Sequence, residues 1–374
     1  MFKVLDKEVV TKTVTRAVAS FSAFLLAAMI LMICTGCGLT ARSLNTLQQT
    51  LPATPFSSPK SYSPVQTLRL SPDEKYLIQG QHITAKEGET FSGDILQIWN
   101  IEKKKHVLIN RQRAGVNLAA TFTPDCKYVI SCGNSGVSKF CLQDETTQVV
   151  TLEEPKHISP DGTLVACNVN DSWVIRAIDS PKEEIVLPQE VDRFLAFSYD
   201  KKHIATSLKK DSNAGSGTAI AIWELEGENG PTFMYKISVP NFYASAERTR
   251  FSPNGKFVAF PSRQGGYVGI WDVGTGKLHQ ELGTHDGSIR VLEFSPDSKM
   301  LAVGTQEANG KHGRIYIWDV ITGTSKEINE NQAKGVTAVC FTANGDAIFF
   351  GNSSGDVKYR NIKIDKSALS LLSR

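Results

Sequence analysis

Few residues in this chain have the type and spacing that chemistry requires. The 374 residues include seven histidines and seven cysteines. His82, His106, His157, His203, His279 and His312 are scattered and lack ligand spacing. No Cys-x-x-Cys pair recurs after Cys37, so the pattern offers no zinc site. Cys126, Cys132, Cys141, Cys167 and Cys340 remain, an odd number that precludes full pairing. All but Cys126 fall in β-rich runs, where a free cysteine packs as a small apolar residue. Gly274-Thr275-Gly276 and Gly215-Ser216-Gly217 lack the strand–helix setting of a phosphate loop and read as a turn and a loop tip. Nowhere do a nucleophile, a base and an oxyanion donor converge. The reading is therefore no catalytic residue, no metal site and no cofactor.

The elements that would position any site come from a repeat. Its clearest copy runs from Phe294 to Val320: an alternating run, a turn at Pro296-Asp297, a β-rich run from Met300, a polar loop, and a run ending Ile317-Trp318-Asp319-Val320. Proline presets one turn dihedral and Asp bonds its own backbone two residues on, so this is a hairpin. The turn recurs as LSPDEK from Leu70, FTPDCK from Phe122, ISPDGT from Ile158, FSYDKK from Phe197, FSPNGK from Phe251, FSPDSK from Phe294 and FTANGD from Phe341. A Trp follows in IWN from Ile98, IWEL from Ile222 and IWDV from Ile270 and Ile317, while three copies lack it at that place. A period near 40–45 residues with Trp-Asp at a strand end signals a propeller of four-stranded blades.

From about Val65 onward the chain resembles the WD40 family. The resemblance implies an all-β, seven-bladed propeller of four-stranded antiparallel blades over residues 65–374. It also implies a structural set of Trp, Ser/Thr, His and Asp. Trp318, Thr305 and His285 match its first three members, and the loop 306–313 offers no matching Asp. Such a His satisfies buried polar groups rather than serving a Ser-His-Asp triad. The loops between blades and those between second and third strands would share one rim. Phe242 and Tyr243 are its sharpest partner-binding candidates, because exposed aromatics are enriched at interface hot spots. Lys209, Lys210, Arg111 and Arg113 would add charge to that rim. For ring closure, the proline-rich segment before Gln66 makes a poor strand, so the tail Ala368–Leu372 is expected to complete the last blade.

The first 64 residues read differently. Phe21 to Ile33 is an unbroken apolar run after Lys3, Lys7, Lys12 and Arg16, the pattern of a signal-peptide core. Thr35-Gly36-Cys37 resembles the lipobox of bacterial lipoproteins, with Cys34 departing from the usual Leu or Val; the resemblance implies lipidation at Cys37. The competing reading of residues 1–37 is an uncleaved N-terminal hydrophobic helix as membrane anchor, about 26 Å long if Ala17–Ile33 is helical. Either tethers the domain to a membrane, and the charge asymmetry places it extracytoplasmic. Residues 38–64, rich in Pro, Ser and Thr, read as a flexible linker.

The formal net charge is +3, and the leader supplies most of it. A near-neutral propeller lacks the overall footprint of a nucleic-acid binder. The expected function is a non-catalytic, membrane-tethered platform for protein partners. The alternative is an extracytoplasmic enzyme or small-ligand binder using the central channel.

Overall fold

The computed structural model describes residues 64–83, 93–103, 105–113, 119–133, 136–209, 218–225, 230–239, 248–262, 266–283, 285–307, 312–329 and 335–362. The leader and linker, with the helix expected in them, lie outside these residues, as does the tail expected to close the ring. Each hairpin turn of the repeat joins the first two strands of one antiparallel sheet. Among the described residues there are seven sheets. Six have four strands in chain order, and the seventh has three among the described residues. This is the seven-bladed antiparallel propeller expected from the repeat, and six of its blades show all four strands among the described residues.

The inner strands are Val65–Leu70, Ala120–Phe122, Pro155–Ile158, Val191–Phe197, Arg250–Phe251, Ser288–Phe294 and Val336–Phe341. Those of blades 2 and 5 are shorter than the β-rich runs at 116–123 and 247–252 suggest. Outer strands such as Thr147–Val150 and Glu184–Val186 are mostly exposed. A long apolar edge would invite pairing with another chain, and brevity guards against that.

The core lies between blades. Blades 5 and 6 share one apolar cluster, from Phe257 and Ile270 to Leu301 and Val320. Similar clusters join blades 4 and 5 through Phe260 and Trp271, and blades 3 and 4 through Trp173, Phe194 and Trp223. Others join 6 to 7, 1 to 2 and 2 to 3. Burying each large side chain contributes about 1.5–3 kcal/mol, and neighbouring blades supply the cover. This is how a ring grows beyond the size of a single core.

Blade 7 meets blade 1 within the described residues. Val65 packs so closely on Gly351 that a Cβ there would lie 2.5 Å from Val65 Cβ. Gln79 Nε2 donates to Gly355 O at 3.2 Å. The first and last blades are thus in contact before any tail strand is considered.

Candidate functional site

The Ser/Thr-x-Asp/Asn turns build one face of the ring. In blade 6, Ser295 Oγ donates to Asp297 Oδ1 at 2.7 Å, and the N–H of Met300 donates to Ser295 Oγ at 2.9 Å. The N–H of Lys299 donates to Asp297 Oδ1 at 3.1 Å. The hydroxyl-to-carboxylate or carboxamide bond recurs at Ser71, Thr123, Ser159, Ser198, Ser252 and Thr342, from 2.6 to 2.8 Å. Burial, the largest single effect, raises these carboxyls, and the turn bonds outweigh it to hold Asp73, Asp200 and Asp297 below the usual carboxylate range; at Asp161 the Lys201 ammonium does more of this than Ser159.

The third residue after each Ser/Thr adopts positive φ, from 56° to 72°. Glycine occupies it in blades 3, 5 and 7; Glu74, Cys126, Lys201 and Ser298 occupy it elsewhere. Left-handed backbone costs an L-residue roughly 1–2 kcal/mol. All four non-glycine side chains reach the preceding blade's turn. Glu74 accepts from the Ala343 N–H at 2.6 Å and Ser298 Oγ from the Asn254 N–H at 3.0 Å. Lys201 Nζ pairs with Asp161 at 2.8 Å, and Cys126 abuts Asp73. The strained position is a clamp between blades.

Two residues before each Ser/Thr, the inner strand faces the central channel. The ring there is Arg69, Thr121, His157, Ala196, Arg250, Glu293 and Cys340, all lining one cavity of about 630 Å³. Arg69 Nη1 and Arg250 Nε both reach Glu293 Oε2, at 3.4 and 3.3 Å. Tyr199 stands where five other turns carry Pro, and it lines the same cavity. Its side chain is 40 % exposed, yet enclosure pushes its phenol up to about 12, with Glu293 adding to the shift. Burial, then Arg250 and Lys156, lower His157 to about 4. It is neutral at pH 7.

Three of the four repeat tryptophans donate to different partners, and Trp271 stacks on Phe260. Trp223 Nε1 donates to Thr206 Oγ1 at 2.8 Å and Trp99 Nε1 to Gln79 Oε1 at 3.1 Å. Trp318 Nε1 donates directly to His285 Nε2 at 2.8 Å. That fixes the proton on His285 Nδ1, which donates to Gly266 O. Thr305 stands apart, its hydroxyl on the backbone of Arg314. His285 is buried, its pKa lowered by desolvation. With both nitrogens committed, it has none to offer a substrate.

The rim candidates are only partly placed. Lys209 is exposed just after the second strand of blade 4, its N–H donating to Glu190 O at 2.8 Å. Arg111 and Arg113 lie on the outermost strand of blade 1, paired with Ile95 and Gly93. Phe242, Tyr243, Lys210 and Cys37 lie outside the described residues. Among the described residues no group of three or more His, Cys, Asp or Glu could hold a metal ion. The sequence reading passed over the channel ring, although counting back two residues from each Ser/Thr turn finds every member.

Comparison with known proteins bears on these blades. Residues 276–319 match the WD domain, G-beta repeat model. This stretch is similar to a WD40 repeat. It takes the outer strand of blade 5, Leu278–Leu282, and the first three strands of blade 6, so the WD40 repeat and the structural blade are offset by one strand. The chain is 24 % identical over 283 residues to the WD repeat-containing protein 26 homolog of Arabidopsis thaliana, covering 73 % of this chain and 43 % of that protein. It is 34 % identical over 204 residues to WD repeat-containing protein 1 of Rattus norvegicus, covering 43 % and 32 %. The chain thus spans less than half the length of these curated WD-repeat relatives. Among solved structures, the β-propeller domain of Cps50 (Swd1) from Myceliophteria thermophila superposes with a TM-score of 0.63 at 13 % identity, covering 85 % of this chain and 99 % of that one.

Proposed function

We propose that this propeller is a protein-interaction platform, held at a membrane by its N-terminus with the ring on the extracytoplasmic side. The observation that carries the platform reading is a WD40 repeat set in a seven-bladed ring whose apolar faces are spent on neighbouring blades. Such a ring is rigid, and its loops are free to vary and to meet partners. One relative is named as a subunit, the guanine nucleotide-binding protein subunit beta of rice, in keeping with a role in assemblies. The tether rests on the sequence of residues 3–37 alone.

In-cell crosslinking followed by purification of the full chain tests the platform. A stoichiometric protein partner is expected, reduced when Phe242 and Tyr243 are both changed to Ala and the melting temperature is kept. Recovery of the chain alone overturns it. Labelled palmitate incorporated by the wild type and lost in Cys37→Ser supports lipidation; label retained in that variant removes Cys37 as its site. Proteolysis on intact cells reads the sidedness: a protected propeller overturns the extracytoplasmic placement.

A further inference from the structure

We infer that the central channel is a binding site for a compact polyvalent anion, such as one bearing phosphate or several carboxylates. The inference is independent of the platform reading, since it concerns the inside of the ring rather than its loops. Among the described residues, the channel lining carries Arg69, Lys156, Arg248, Arg250 and Arg290, and Glu293 as its single acid. Lys156 is offset by Glu154 just outside the lining, 3.3 Å away. Four arginines then face one carboxylate.

Their arrangement suits an anion rather than a closed ion-pair network. Arg69 and Arg250 come from blades 1 and 5 and converge on a single oxygen of Glu293 in blade 6. Arg69 Nη1 also donates to Leu68 O at 3.2 Å and Arg250 Nη1 to Thr249 O at 2.9 Å, so the backbone orients both guanidiniums. One glutamate still falls short of two arginines in charge. Low-dielectric walls around such a cavity focus its field. The Arg side chains are 34 % and 24 % accessible, so an ion in the channel can reach them. Tyr199 brings a protonated phenol to the same cluster at neutral pH, a further donor. Arg290 is exposed and Arg248 half-buried; Arg290 precedes Glu293 on its strand and Arg248 lies just before the strand of Arg250, both on the side away from the Ser/Thr turns. An anion entering from that side meets cationic side chains along its path. The cavity of about 630 Å³ is of small-molecule size. A folded acidic domain would be excluded.

Titration calorimetry of the full chain with inorganic pyrophosphate, and separately with citrate, tests the inference at low and high ionic strength. Saturable binding that weakens with salt is expected. Arg250→Gln should weaken it about tenfold or more. Glu293→Gln, which removes the internal competitor, should tighten it several-fold. Should those variants fail to fold, Arg290→Gln at the exposed mouth keeps the test open and should weaken binding without changing the melting temperature. Tighter pyrophosphate than citrate binding would mark a phosphate ligand, and the reverse a polycarboxylate; either supports the site. No saturable binding of either ion, binding indifferent to all three variants, or binding only of an acidic peptide overturns it.

Discussion

Glu74 Oε1 accepts a 2.6 Å hydrogen bond from the backbone N–H of Ala343, a residue 269 positions later in the chain. The bond ties the turn of blade 1 to that of blade 7. Glu74 makes it from left-handed backbone, φ 59°. A stabilising contact and a local strain therefore coexist in one residue, and substitution can separate them. Glu74→Ala loses the bond and keeps the strain, so it should be the least stable form, by about 1–2 kcal/mol in urea denaturation. Glu74→Gly loses the bond but relieves the strain, and should recover roughly 1 kcal/mol of that loss. Equal stability of the Ala variant and the wild type would show that the bond contributes nothing.

The same junction is sealed by Val65 against Gly351. A Cβ on Gly351 would meet the Val65 side chain at 2.5 to 2.9 Å. Both residues are buried, so neither can swing into solvent. Gly351→Ala should destabilise by about 1–3 kcal/mol through overpacking. Val65→Ala in the same chain should restore part of that loss, a coupling read from a double-mutant cycle. Additive losses would place the clash elsewhere.

The turn hydroxyls should matter in proportion to their burial. Ser252 is fully buried; its Oγ accepts from the Phe257 N–H at 2.9 Å and donates to Asn254 at 2.7 Å. Ser252→Ala leaves buried groups unpaired and should cost about 1–3 kcal/mol. Thr123 makes the equivalent bonds to Tyr128 and Asp125 while half-buried, so water can replace its hydroxyl. Thr123→Ala should cost clearly less by the same denaturant measurement.

The blades were legible because their punctuation is local. Ser-Pro-Asp fixes a hairpin whatever the rest of the chain does, so every turn and most strands fall where the sequence places them. The channel was not legible from composition. Net charge sums over the whole domain, whereas Arg69, Arg250 and Glu293 meet only because three separate blades turn the same register position inward. Nor did the Trp-Thr-His pattern reveal its own wiring. Trp318 and Thr305 stand in the expected register, but His285 comes close enough to take the indole N–H directly, and that distance is a tertiary property. The four non-glycine clamps hid for a related reason. Glu74, Cys126, Lys201 and Ser298 look like ordinary turn residues until the preceding blade is in place beside them.

His157 should make stability depend on pH on the acid side. Its ring lies 5.4 Å from that of Phe194, stacked at 25°, and it faces the channel beside Arg250 and Lys156. Burial first, then those two cations, bring its pKa from 6.5 down to about 4. The unfolded chain takes up the proton near 6.5, whereas the folded chain resists it until about 4. Between those values the unfolded state binds more protons, so stability falls as pH falls, and its full value is present above 6.5. His285, also lowered by burial, acts in the same direction. Melting temperatures at pH 7 and pH 5 should therefore differ in the wild type. His157→Gln should show a smaller difference, the remainder including His285 and His106, both lowered by burial, and the turn carboxylates. An identical pH dependence in that variant would mean that His157 is protonated in the folded ring well above pH 4, and that burial, Arg250 and Lys156 oppose its charge less than their placement implies.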